Sequence, residues 1–285
     1  MIKIAVPNKG RLSEESIRLL RSIGLKIALE ERSLFLETPK YSIIFVRAQD
    51  IPGFVEEGVA DIGITGLDLV LETGKKVKKL LELNFGYCRL AIAVPEKSKI
   101  LAVKDIPNNA KVATSFPNLT KEYFRKIGKR IDIVEVSGTA EIAPHLGVAE
   151  LITDLVETGA TLKTNYLREI GTITESKAVA IANEKALELE EKKRKINELV
   201  AALASVINAT GRRYLMANVP KEALEDVKSL IPGISGPTVM SIIGSEKIVA
   251  VHAVVNEEEI NGVIAVLKKL GATGILIVPI ERAVL

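Results

Sequence analysis

Asp154, Thr158, Gly159 and Thr161 are the residues whose types and spacing point most directly to chemistry; they lie in A-E-L-I-T-D-L-V-E-T-G-A-T-L-K-T-N-Y-L, residues 149–167. Leu151, Ile152, Leu155 and Val156 form an apolar run suited to a buried strand, and T-G-A-T follows where such a strand hands over to a helix. Backbone N–H groups at that junction, with the hydroxyls of Thr158 and Thr161, suit a phosphate, and Gly159 lets the backbone come close. Asp154, near the strand end, suits sugar hydroxyls or a magnesium ion bridging to the ligand. An ordinary strand-to-helix turn accounts for the same residues, with Asp154 a surface acid and Thr158 an N-cap, so other segments must decide.

A second set carries positive charge. Lys9, Gly10 and Arg11 occupy a loop between a strand at Ile2–Val6 and a helix that Ser13 is placed to cap, a sensible arrangement for phosphate oxygens or simply a solvated basic turn. Arg47, Thr65 and Asp68 sit at the ends of two further buried strands, 43–46 and 61–66, along one edge of a parallel sheet or as solvated termini. Arg89, beside the apolar strand 90–94, needs a partner or a ligand. Cys88 reads as a small core residue and His145, after Pro144, as a helix-end side chain rather than a base.

The elements that must hold these residues form a repeating α/β series. After the linker P-E-K-S at Pro95–Ser98 come strands at 111–115, 131–136 and 151–156, whose turns, rich in Ser, Thr and Gly, converge on one face. A return strand at 178–182 leads into one long helix from Glu184 to about Ala209, with a charged first half and an apolar stripe after it. Two lobes with a double hinge follow: 1–94 with 184–211, and 95–183. From about residue 212 to 285 the order is β-α-β-β-α-β, ferredoxin-like, with no obvious nucleophile or base, so regulation or assembly suits it better than catalysis.

Composition narrows the classes. The apolar runs in these 285 residues are short, so no membrane span is expected, and M-I-K-I-A-V-P reads as a first strand rather than a signal peptide, which places the protein in the cytoplasm. One cysteine excludes an internal disulfide, and two histidines argue against a Cys/His zinc site. A net charge of +3 with interleaved signs and no tryptophan argues against a nucleic-acid surface.

Seven segments in order resemble the ATP phosphoribosyltransferase family, the first enzyme of histidine biosynthesis, in its long form: N-K-G-R-L (8–12), D-I-G-I-T-G (61–66), F-G-Y-C-R-L (85–90), A-T-S-F-P-N (113–118), G-T-A-E-I-A-P (138–144), D-L-V-E-T-G-A-T-L (154–162) and P-G-I-S-G-P-T-V (232–239). The resemblance implies a two-lobed catalytic core like a periplasmic binding protein and a ferredoxin-like, ACT-like regulatory domain that binds histidine. The implied reaction moves the phosphoribosyl group of phosphoribosyl diphosphate to N1 of ATP and releases pyrophosphate, with Mg2+ as cofactor. By similarity Asp154, Thr158, Gly159, Ala160 and Thr161 hold the ribose and 5-phosphate, with Glu141 near the same pocket. Lys9, Gly10, Arg11, Arg47, Asp68 and Arg89 line the opposing wall toward ATP and pyrophosphate, and Asp154, Arg11 and Arg89 are the expected catalytic groups. Thr238 matches the effector motif, whereas Asn218 stands where some long-form relatives carry aspartate. A homo-oligomer, dimer or hexamer, is expected, with no nucleic-acid or membrane partner. A solute-binding protein and a transferase acting on a free base are the competing readings.

Overall fold

The computed structural model describes residues 1–27, 34–231, 233 and 236–285, and it divides into two compact units, Met1–Val200 and Ala201–Leu285. Pro232, Ile234 and Ser235 of the effector motif lie outside the described residues.

The first unit begins with β1 (Ile2–Pro7), α1 (Arg11–Ser22), β2 (Phe35–Glu37), β3 (Tyr41–Val46), α2 (Ile51–Glu56), β4 (Ile62–Gly66), α3 (Leu67–Thr73) and β5 (Lys78–Glu82). It continues through β6 (Cys88–Pro95), β7 (Ala110–Thr114), α4 (Pro117–Lys126), β8 (Ile131–Glu135), β9 (Leu151–Val156), α5 (Ala160–Thr164) and β10 (Leu167–Ser176). Then come β11 (Ala178–Ala182), α6 (Glu184–Glu188) and α7 (Glu190–Ala209), the last of which runs on from Ala201 into the second unit. Two sheets result, with strand orders β2-β3-β1-β4-β11-β5 and β10-β6-β9-β7-β8. In the first, β3, β1 and β4 are parallel, so the residues after Pro7, Val46 and Gly66 share one edge. In the second, β8, β7 and β9 are parallel and bring the turns after 114, 135 and 156 to one edge, as the sequence indicated. The central strands β1, β4 and β11 are buried nearly throughout, which is why they read as continuous apolar runs.

Hydrogen bonding places the crossings between sheets away from Pro95 and Asn183. β6 pairs with β9 and β10, so Leu90–Val94 belongs to the second sheet, and β11 pairs with β4 and β5 in the first. The chain therefore crosses at residues 83–87 and returns through Lys177. The two crossings hold each other: Leu83 N donates to Ala178 O at 2.8 Å and Ala178 N to Phe85 O at 3.0 Å, while Lys177 pairs with Glu82 at 2.5 Å. Gly86, at φ 70°, is needed there, since a Cβ would come within 2.6 Å of Leu12 Cδ2. A second tie between the sheets runs from α3 to α4. The Glu72 carboxylate accepts the N–H groups of Asn118 and Leu119, each at 2.9 Å, capping the start of α4 from outside the helix.

Two elements depart from the sequence expectation. α1 begins at Arg11 with Gly10 as N-cap, so Ser13 is inside the helix, its N–H bonded to Gly10 O at 3.0 Å. The long helix is broken at Leu189, which adopts an extended backbone. Asn183 caps the first piece through Ala186 N at 2.8 Å, and Lys192 on the second pairs with buried Asp61 at 2.6 Å.

The second unit carries β12 (Arg212–Pro220), α8 (Leu224–Leu230), β13 (Thr238–Ser241), β14 (Ile248–Asn256), α9 (Ile260–Lys269) and β15 (Thr273–Pro279). Its antiparallel sheet, ordered β13-β14-β12-β15, is the ferredoxin-like arrangement. Alternate residues of β12 and β14, among them Leu215, Ala217, Val219, Val249, Val251 and Ala253, form a core with Val227 of α8 and Leu267 of α9. Among the described residues no helix is long and apolar enough to cross a membrane.

Candidate active site

The loop between β9 and α5 folds as a cradle. Gly159 is the N-cap of α5 at φ 81°, a left-handed conformation that favours glycine, and Lys163 N bonds back to its carbonyl at 3.2 Å. Thr158 is therefore one residue too early to be the cap; its hydroxyl accepts only a long 3.4 Å bond from Ala160 N. The first N–H groups of a helix have no intrahelical acceptor, so this turn offers donors outward. Asp154, Glu141 and residues 155–162 line a cavity of about 220 Å³. That is below the roughly 300 Å³ where pockets for whole ligands begin, so it accommodates a phosphate and part of a sugar while the rest of a ligand projects out.

Asp154 is the chemically distinctive group. Burial pushes its carboxyl up to about 6, the bond from Leu155 N to Oδ1 at 2.8 Å opposes this, and the charge of Glu141 adds to the rise. Thr153 next to it is buried and shares a 2.6 Å hydroxyl contact with Thr120 of α4, which fixes the strand against the helix. Of the three Ser/Thr/Gly turns on this edge, those at Glu141 and at 158–161 meet in the cavity. Thr114 and Ser115 instead bond to Phe116 N at 2.9 Å and Val136 O at 2.8 Å. His145 contacts Asn165 O at 2.7 Å through Nε2, a fastening rather than a base.

The opposing residues are brought in unequally. Arg11, the first residue of α1, reaches the cradle, where its guanidinium pairs with the Glu157 carboxylate. Arg89 arrives from β6, but its fork is spent on Glu169, at 2.9 and 2.7 Å, and its Nη1 donates to Glu157 O at 3.2 Å. The Arg89 fork holds the Glu169 carboxyl below its usual range, so this arginine braces the turn. Lys9, Gly10 and Arg47 are exposed at the ends of β1 and β3. Asp68 is 4% exposed, with Ser176 Oγ donating to Oδ1 at 2.6 Å and accepting from Asp68 N at 2.9 Å. Burial raises its pKa against that hydrogen bond, and it lies at the crossing beside Cys88, not in the cradle cavity. Burial, then Asp68, pushes the Cys88 thiol up to about 11, so it stays protonated and unreactive.

Sequence reasoning missed Glu157, Glu169 and Ser176. Glu157 sits within D-L-V-E-T-G-A-T-L and Glu169 and Ser176 within no motif, and none of the three stands out because their partners are far away in the chain. Among the described residues no group of three or more His, Cys, Asp or Glu side chains is placed to hold a metal. Asp154 and Glu141 provide two carboxylates, which matches the way magnesium is held by one or two acids together with substrate phosphates.

In the second unit Thr238 pairs with His252 on β14, and Asn218 with Ala250 on the same strand, so the two effector candidates stand two strands apart on one sheet face. Asn218 lies against Gly274, where a Cβ would meet Nδ2 at 3.1 Å. Tyr214 and His252 share a 2.9 Å contact between OH and Nδ1. A separate cavity of about 340 Å³, lined by Arg212, Ile231, Asn256 and Glu259 among others, includes neither candidate. Among the described residues, buried Arg212 Nη1 has no hydrogen-bond partner.

Known proteins match this architecture. The family described as ATP phosphoribosyltransferase matches residues 47–205, and that described as HisG, C-terminal domain, matches residues 209–282. The ATP phosphoribosyltransferase of Methanocaldococcus jannaschii is 49% identical over 286 residues, covering 99% of each chain. That of Methanopyrus kandleri is 47% identical over 289 residues, covering 100% of each. Among solved structures, the ATP phosphoribosyl transferase (HisG:HisZ) complex from Thermotoga maritima superposes with a TM-score of 0.64 at 30% identity, covering 72% of this chain and 97% of that one. With both of its units matched and relatives close to half identical from end to end, the chain belongs to the ATP phosphoribosyltransferase family, in its long form, and is a phosphoribosyl-transferring enzyme.

Proposed function

We propose that the chain transfers the phosphoribosyl group of phosphoribosyl diphosphate to N1 of ATP, as the first step of histidine biosynthesis, and that histidine inhibits it through the second unit. The supporting observation is a glycine-capped turn closing on Asp154 and Glu141 in a chain related end to end to ATP phosphoribosyltransferases. In this reading the N–H groups and hydroxyls of residues 158–161 take the 5-phosphate, and Asp154 accepts the ribose hydroxyls. Arg11 meets the diphosphate, while Lys9, Gly10 and Arg47 face ATP. Arg89 braces the turn, and Asp68 acts by holding the crossing.

The bond from ribose C1 to the diphosphate oxygen breaks, and its electron pair leaves with pyrophosphate. The lone pair of N1 forms the new bond to C1, so no protein nucleophile is required. Positive charge that develops on the sugar favours an ionised Asp154 close by, and fixed donors around the 5-phosphate keep C1 in line with N1. A magnesium ion, if bound, would be held by Asp154 and Glu141 and would supply charge neutralisation to the leaving group. The enzyme would work in the cytoplasm as a homo-oligomer.

A substrate assay tests this reading. Protein mixed with phosphoribosyl diphosphate and magnesium should release pyrophosphate only when ATP is added. Release with a free base but not with ATP would move the protein to another transferase class, and no release with either would leave a binding protein.

A further inference from the structure

Glu141, Asp154 and Glu157 all line the cradle cavity, so a phosphate entering it meets three carboxylates. Such a site needs its negative charge answered, and two arginines meet Glu157: Arg11 at the carboxylate and Arg89 at the carbonyl. Arg89 is already committed to both oxygens of Glu169. Arg11 is different, because its ion pair with Glu157 leaves the two side chains 52% and 50% exposed. An ion pair that open to water holds only weakly, whereas a guanidinium binds a phosphate or diphosphate by charge-assisted, often bidentate, hydrogen bonds.

We infer that Glu157 is a positioning residue whose carboxylate stands in for the ligand's anion on Arg11 and yields the guanidinium when a diphosphate-bearing ligand arrives. The inference rests on the cradle reading above and adds to it a competitor built into the turn. Arg11 belongs to the first sheet's body and Glu157 to the second's. The exchange therefore couples anion entry to release of one contact between them. Glu157 holds Arg11 at the mouth of the cavity without a ligand, and its charge opposes the ligand that replaces it.

The test is calorimetric titration of the full chain with pyrophosphate and, separately, with phosphoribosyl diphosphate, each with magnesium. It compares the parent, Glu157→Gln, Arg11→Met and the double variant, with thermal melting to confirm that each is folded. Glu157→Gln should bind both ligands about two- to five-fold more tightly, the range that loss of a half-exposed competing pair supplies. Its KM for phosphoribosyl diphosphate should fall correspondingly. Glu157→Ser, which removes both charge and reach, should show the same gain. In the Arg11→Met background the gain should disappear. Unchanged or weaker binding by Glu157→Gln overturns the inference alone, as does an equal gain without Arg11, which would make Glu157 a diffuse charge. Absence of binding by the parent removes the cradle reading and this inference with it.

Discussion

At the scale of single residues, Asp154 ties stability to function. Its carboxyl rises from 3.8 to about 6 on folding, so between those pH values the native state keeps a proton that the unfolded chain releases. Stability at this site is thus undiminished below pH 3.8, falls as pH rises, and carries its full penalty above about 6. Asp154→Asn should raise stability at pH 7.5 by about 1–2 kcal/mol, the shift being discounted for partial exposure, and the gain should vanish near pH 4. The same substitution should cut kcat/KM by 10-fold or more and abolish the pH-dependent limb near 6 expected of the parent. A variant that is neither more stable at neutral pH nor slower would remove Asp154 from the site. At Gly159 the obstacle is conformational, since the nearest side-chain atom to an added Cβ is 4.0 Å away but φ is 81°. Gly159→Val should therefore lower the melting temperature as well as raise KM for phosphoribosyl diphosphate. Thr161→Ala, at an exposed position, should raise KM with stability changed by no more than about 0.5 kcal/mol. Equal melting losses for the two variants would contradict this division. Asp154 and the T-G-x-T turn were legible because strand, acid and glycine are contiguous in sequence; Glu157 acquires meaning only when Arg11 folds against it.

Among elements, the regular ones were legible and the irregular ones were not. Strands β1, β3, β4, β7, β8 and β9 announce themselves as apolar runs ending in turns. β10 does not: its register against β6 slips twice, between Glu169 and Gly171 and between Thr172 and Thr174, and such bulges erase the two-residue period. β2 and β5 lack fully buried positions. The break at Leu189 carries no glycine or proline, and Leu189 itself is 56% exposed, so nothing in E-L-E-E-K separates two helices from one. The crossing was misplaced for a related reason, since Pro95 looks like a boundary while the passage is made through Gly86. Gly86→Ala should cost about 1–2 kcal/mol, because it combines a positive φ with a 2.6 Å approach to Leu12. A melting temperature equal to the parent's would show that the crossing tolerates rearrangement.

At the scale of the whole molecule, every residue proposed to meet substrate lies in the first unit, and the second has its own core. Removal of residues 212–285, after α7, should abolish histidine inhibition while transferase activity survives, as expected of a separable effector unit. Thr238→Ala and Arg212→Met refine this in the intact chain. Loss of inhibition in the first assigns the effector to the sheet face, and loss only in the second assigns it to the cavity lined by Arg212. Inhibition of the truncated chain at unchanged potency would place histidine in the first unit. The ferredoxin-like order was readable from sequence because its strands alternate cleanly, but the separation of Thr238 from Asn218 depends on β14 lying between them. The central claim concerns one bond, between ribose C1 and N1 of ATP. Phosphoribosyl diphosphate labelled with 13C at C1 and ATP labelled with 15N at N1 should give, with magnesium and the parent protein, a product showing one-bond carbon–nitrogen coupling. The coupling should build up at least 10-fold more slowly with Asp154→Asn. Pyrophosphate release without that coupling, or formation at the same rate by the variant, would contradict the account.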